Sequence, residues 1–266
     1  MLTDDQLSYF DTFGFLRLKQ LFTPRETAEI TRAADESTKA ELGREVPEGE
    51  DFSVGGFIEG HPGMTQLLVL DDRIYGTMRQ LLGDDMIWSG SEGNRGFQAG
   101  HTAHHWHADR PGLRELGFLR LKVMLYLEPM RKEQGAFRVI PGSHRSPLHE
   151  ALATFQQVHG EADPTFFGLS GEDVPCHAVE TDPGDAVVFT QSLFHGVYGK
   201  TGRRRYIALK FAARPTADEH LASLYKWSKY AFQPNPAFVG SDNQRIQGLV
   251  RGLADLGERA AGLPYP

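Results

Sequence analysis

Between residues 86 and 212 the chain consists of short β-type runs that do not alternate with helices. Residues 86–91, 119–127, 137–140, 186–190 and 206–212 are rich in aliphatic, aromatic and β-branched side chains, and Gly, Pro and Asp punctuate the stretches between them. Parallel strands need a crossover of a dozen or more residues, usually a helix, between successive members. This texture therefore points to an antiparallel sandwich or barrel rather than a doubly wound parallel sheet.

The segments on either side read differently. Thr3 with Gln6 forms a capping-box pattern for a helix that ends at Gly14. A strand is expected at 15–19. Thr23-Pro24-Arg25-Glu26 repeats the signature, with Pro at the first helical position, and opens a helix to Leu42 that Gly43 can cap. Residues 43–62 are rich in Gly, Glu and Pro and read as a loop, and a third helix is expected over 72–82, stopping at Gly83. Helical texture returns at 215–232, with a short helix near 243–255. The expectation is one domain, 1–266: a helical N-terminal region over 1–85, a β core over 86–213 and a helical C-terminal segment over 214–266.

Composition excludes several classes of function. An apolar fraction of 40% is that of a globular protein, and a single cysteine, Cys176, leaves no intrachain disulfide or multi-cysteine metal site. A net charge of −7 argues against nucleic-acid backbone binding. The acidic start, MLTDDQLSYF, is unlike a signal peptide, and the apolar runs are far too short to span a membrane. A cytoplasmic location is the expectation; the oligomeric state is left open.

Eleven histidines are more informative, because four of them fall within residues 101–107 of the run HTAHHWHAD. His107 and Asp109 are two apart, so in extended chain they project from one face. With a third ligand from a distant strand they would complete a two-histidine, one-carboxylate set. Such a set holds Fe(II) on one side and leaves positions open for a cosubstrate and O2. The spacing alone is weak, since chance gives roughly 0.7 His-x-Asp pairs in a chain of this composition. The competing reading is a solvated histidine-rich loop beside a surface aspartate. A candidate third ligand follows DPGDAVVFTQSLFHG at 182–196, where a buried strand leads to His195-Gly196. Arg203-Arg204-Arg205 then enters an apolar strand, and alternation turns at least one guanidinium inward, where a dicarboxylate would pair it.

In combination, WHAD at 106–109, QGAFRVIPGSHR at 134–145 and GDAVVF…HG with its following arginine resemble the phytanoyl-CoA dioxygenase family, a branch of the Fe(II)/2-oxoglutarate oxygenases. The opening LTDDQLSYFDTFGFLRLKQLFT and LLGDD at 81–85 are similar to that family's first helices, so the resemblance covers most of residues 2–212. It implies a mainly β fold with flanking α-helices, built on a double-stranded β-helix (jelly-roll, cupin-like) core. It further implies His107, Asp109 and His195 as iron ligands and catalytic residues, and Arg204 as the clamp on the far carboxylate of 2-oxoglutarate. The loop before Arg204 is shorter than the family's usual one, which leaves Arg205 as a second candidate. Gln98 and Lys122 fall where further cosubstrate contacts are expected.

The implied activity is hydroxylation of a small-molecule metabolite or natural-product intermediate, with O2 and 2-oxoglutarate as cosubstrates and succinate and CO2 as products. Desaturation or ring chemistry on the same centre is an alternative, as is a cupin-like metal-binding or sensor protein, or an isomerase or hydrolase using the same ligands. Substrate choice is expected to rest on 43–62, 110–117 and the aromatics Tyr225, Trp227 and Tyr230. His104 and His105 lack a carboxylate two residues on. His144 reads as part of a turn, Cys176 as inert, and neither Ser143 nor Ser192 has the setting of a hydrolase nucleophile.

Overall fold

The computed structural model describes residues 1–47, 50–96, 104–160 and 163–265. Its helices are α1 (Asp4–Phe13), α2 (Pro24–Leu42), α3 (Pro62–Met64), α4 (Asp72–Leu82), α5 (Leu148–His159), α6 (Asp218–Ser228), α7 (Pro236–Val239), α8 (Gln244–Val250) and α9 (Leu253–Ala260). Its strands are β1 (Phe15–Leu18), β2 (Phe52–Gly55), β3 (Ile87–Gly96), β4 (His104–His107), β5 (Arg120–Tyr126), β6 (Phe137–Val139), β7 (Thr165–Phe166), β8 (Leu169–Ser170), β9 (His177–Val179), β10 (Ala186–Thr190), β11 (His195–Val197) and β12 (Arg204–Ala212).

Both capping boxes form. Thr3 and Thr23 accept the amides of Gln6 and Glu26, whose side chains return to the cap backbone, and Gly14 and Gly43 close α1 and α2 in the left-handed region. The strands then pair antiparallel throughout. A six-stranded sheet runs β1-β10-β5-β12-β3-β2, and a four-stranded sheet runs β4-β11-β6-β9. The two sheets face each other as a double-stranded β-helix with helices flanking the larger one. No helix of the described residues is long and apolar enough to cross a membrane.

Alternation decides which residues go where. Along β12, Ile207, Leu209 and Phe211 join the core shared with the helices, while Ala208 and Tyr206 join the one between the sheets. On β5, Leu121, Val123 and Leu125 face the helices, and Met124 and Tyr126 face the opposite sheet. A third cluster on the outer side of the small sheet packs Trp106 and Phe194 against Leu152 and Ala153 of α5.

Two features depart from the sequence expectation. The β architecture is not confined to the stretch after residue 86: the strand expected at 15–19 forms as β1, and together with the unexpected β2 it supplies the edges of the large sheet. β2 lies inside the stretch expected to be a loop, with Phe52, Ser53, Val54 and Gly55 paired to Arg95, Asn94, Gly93 and Glu92. Four residues with only two apolar side chains carry little alternation, so its partner strand rather than its own composition makes it extended. The second is α5, a helix that is not among the elements expected from the sequence.

Candidate metal centre

His107 ends β4 and His195 begins β11, and the two strands place these residues directly opposite each other in register. Their rings lie 4.3 Å apart between centroids. Asp109, two residues past the strand residue His107, turns its carboxylate to both: its Oδ1 lies 3.7 Å from His107 Nε2 and 3.9 Å from His195 Nε2. The three ligand atoms fall within 4.8 Å of one another, and no other group of three His, Cys, Asp or Glu among the described residues does so. The same three residues were expected from the sequence.

Ring orientation is set locally. His107 Nδ1 lies 2.7 Å from the His105 carbonyl and His195 Nδ1 2.9 Å from that of Leu193. Each carbonyl is placed to accept the Nδ1–H, which puts the lone pairs on the two Nε2 atoms that face Asp109. His195 is buried and packs on Phe137 and Phe189, ring centroids 5.1 Å away in both cases. Burial, then the neighbouring His107, pushes its pKa down to about 3, so the imidazole is neutral and ready to donate a lone pair. Burial acts on Asp109 in the opposite sense, but Lys122 and the two imidazoles more than reverse it and hold the carboxyl well below its ordinary value. Two imidazole nitrogens and one carboxylate oxygen converging in this way are a donor set that suits Fe(II) or a similar divalent metal.

Two supports of this centre were not visible in the sequence. Gln156 of α5 clasps the residue between the two ligands of the HAD run: the Ala108 amide donates to Oε1 at 2.9 Å, and Nε2 donates to the Ala108 carbonyl at 3.3 Å. Ser143 Oγ accepts the Phe194 amide at 2.8 Å, next to His195. Neither has a local motif, because each acts across a gap of 48 or 51 residues that only folding closes.

Lys122 reaches the site from β5, its Nζ 2.8 Å from Asp109 Oδ2. Its partner here is thus the carboxylate of the triad. Tyr126, four residues on and on the same face, accepts from Arg204 Nη2 at 3.2 Å. Arg204 is buried, donates also to the Gly135 carbonyl at 3.3 Å, and lies over the rings of Tyr126 and Tyr206. Among the described residues no carboxylate lies within ion-pair distance of it. Burial and then Arg204 push nearby Lys200 down to about 8, a sign of the positive field gathered here. Arg205 points to the other face of β12, where Glu128 takes its Nε at 2.6 Å and Asp35 of α2 takes Nη1. Gln98 and His101 lie outside the described residues. His104 and His105 stay out of the convergent set; the His105 ring packs 6.0 Å from that of Tyr198. Cys176 is half-buried and unpaired by disulfide, and burial raises its pKa.

Comparison with known proteins agrees with this geometry. The ectoine dioxygenase of Streptomyces coelicolor is 29% identical over 161 residues, which are 56% of this chain and 53% of that protein. That of Bordetella bronchiseptica is 26% identical over 218 residues, 73% of this chain and 70% of its own length. The chain thus spans about half of the first relative and a larger share of the second. Among solved structures, HygX from Streptomyces hygroscopicus with nickel and 2-oxoglutarate bound superposes with a TM-score of 0.63 at 20% identity, covering 80% of this chain and 88% of that one. EctD from S. alaskensis with 2-oxoglutarate and 5-hydroxyectoine gives 0.59 at 23%, covering 80% and 76%. The sequence profile of the phytanoyl-CoA dioxygenase family matches residues 10–206, and the chain belongs to that family.

Proposed function

We propose that this protein is a non-haem Fe(II)- and 2-oxoglutarate-dependent dioxygenase that hydroxylates a small-molecule substrate, with release of succinate and CO2. The observation that carries the reading is a His/Asp/His donor set sharing one interior with a buried arginine that, among the described residues, has no carboxylate partner. A metal-binding or sensor protein without turnover has no use for such an arginine, whereas a dicarboxylate cosubstrate pairs with it.

In this reading His107, Asp109 and His195 hold the iron, and Arg204 receives the far carboxylate of 2-oxoglutarate, with Tyr126 steadying the guanidinium. When bound, ferrous iron and 2-oxoglutarate supply the oxidising power by which O2 is divided between succinate and a C–H bond of the substrate. The chain does the rest. His105 and Leu193 carbonyls fix both imidazoles, Lys122 keeps Asp109 anionic, and Phe137 and Phe189 keep water from the inner side of His195. The presence of Asp109 favours hydroxylation over halogenation, which needs that position free for a halide.

Two measurements test this. Anaerobic addition of 2-oxoglutarate to the Fe(II)-loaded protein is expected to produce a weak visible charge-transfer band. Asp109→Ala is expected to abolish succinate formation; unimpaired turnover in that variant would remove the triad from the reaction.

A further inference from the structure

Where β3 runs on past the end of β2 lies a cavity of about 550 Å³, a volume suited to a metabolite-sized ligand. Its walls include Gly55, Glu59, Trp88, Glu92, Lys210 and Tyr230. Glu92 forms an ion pair with Lys210, and Lys210 stands opposite Lys122 in the β12–β5 ladder. Lys122 in turn holds Asp109. Charged side chains therefore link the cavity wall to the carboxylate of the triad, and the Glu92 carboxyl, which burial would raise, is lowered by Lys122 and Lys210 together.

The other carboxylate in the wall is unlike Glu92. Glu59 is buried and accepts the Trp88 indole N–H on Oε1 at 2.8 Å, the Ile58 amide on Oε2 at 3.1 Å, and the Ser91 hydroxyl on Oε2. All three donors are neutral, and among the described residues no Lys, Arg or His lies within ion-pair distance of Glu59. Oε1 has taken one donor and can accept another. A buried carboxylate whose charge no cation balances favours a cationic donor over a neutral one. Lys210 does not meet the need, because Glu92 already engages it.

We propose that this cavity is the prime-substrate pocket, and that it takes a small molecule bearing a protonated nitrogen, which Glu59 receives. The assignment of the pocket to the prime substrate rests on the oxygenase reading above. Trp88 and Tyr230 give the ligand's apolar body aromatic surface, and the half-exposed Tyr230 stands over Gly90, where a Cβ would come within 2.7 Å of its ring.

Isothermal titration calorimetry of the metal-free protein tests the pocket, using cyclohexylmethylamine against the neutral cyclohexylmethanol. The amine is expected to bind about tenfold more tightly, the difference between a charge-assisted and an ordinary hydrogen bond. Glu59→Gln is expected to erase that preference. Gly55→Leu provides an independent check, because a Cβ there meets nothing within 4 Å and, opposite Glu92 in register, the added side chain grows into the cavity. This variant is expected to lose binding of both probes while keeping the wild-type circular dichroism spectrum. Equal affinity for the two probes, or a preference that survives both substitutions, would overturn the assignment. In the Fe(II)/2-oxoglutarate complex the bound amine is expected to perturb the visible band; binding without perturbation would overturn the pocket's link to the iron. If no band forms at all but the calorimetric pattern holds, the oxygenase reading fails and the amine site stands alone.

Discussion

Asp109 and Arg204 show how single side chains in this interior are read through their partners. Asp109 is half-buried with a cation, Lys122, in contact, whereas Arg204 is buried and, among the described residues, has a phenol and a carbonyl as its hydrogen-bond partners. A guanidinium left in that condition is strongly biased toward an anionic ligand of matching shape. Arg204→Met is therefore expected to raise the KM for 2-oxoglutarate by about a hundredfold, the loss of two charged hydrogen bonds, in an assay of succinate formation. Arg205→Met is expected to leave that KM unchanged and to lower the melting temperature instead, because Glu128 and Asp35 lose their shared partner. An increase in KM in the second variant and not the first would reverse the assignment. Sequence alternation alone put these adjacent arginines on opposite faces without saying which face was the interior; the register of β12 against β3 and β5 supplies that.

At the scale of elements, the ligands depend on a helix that contains none of them. Gln156 is in the third turn of α5, and its carboxamide satisfies both backbone groups of Ala108, so the turn from His107 to Asp109 is held from behind. Gln156→Ala leaves both groups buried without that partner, and the expected result is a fall in Fe(II) affinity of about ten- to a hundredfold, measured by metal titration with the far-UV spectrum unchanged. An unaltered iron affinity would mean that β4 alone fixes the turn. The elements themselves were readable in proportion to their local signals. Helices α1, α2 and α4 announce their ends through Thr3, Thr23 and the glycines at 14, 43 and 83, and β10 spans the expected 186–190. β2 and α5 were not readable: the first depends on pairing with β3, and the second was not singled out by a cap, since Pro147 at its start makes no side-chain cap bond.

Across the whole molecule, a buried acid reinforces the pairing of the N-terminal segment with the β core. Asp185 lies in the turn before β10 and takes Arg17 Nε and Nη2 at 2.9 and 2.6 Å, the Gln20 amide at 2.8 Å and the Asp182 amide at 3.0 Å. Burial alone would raise its pKa; the two amides and Arg17 outweigh that and hold it below the ordinary 3.8. A folded value below the unfolded one means that ionised Asp185 stabilises the protein fully above pH 3.8, and that this contribution fades as pH falls through the folded value. Asp185→Asn is expected to lower stability at neutral pH by about 2–3 kcal/mol in urea titrations and to flatten the acid limb of the stability profile. An unchanged acid limb would place the acid sensitivity elsewhere.

What the sequence determined by itself was the chemistry on offer and its local geometry. A two-residue spacing puts His107 and Asp109 on one side of the chain, the β-type texture excludes a parallel sheet, and capping residues mark the first helices. These follow from interactions between near neighbours, and near neighbours are visible in a linear string. Tertiary structure decided the rest: that His195 meets His107 in register, that Lys122 faces Asp109, and that, among the described residues, Arg204 and not Arg205 lacks an acid and Glu59 lines a cavity without a balancing cation. Each of those depends on strand register and on burial. Both are properties of contacts between residues far apart in the chain, so they acquire values only when the sheets close over one another.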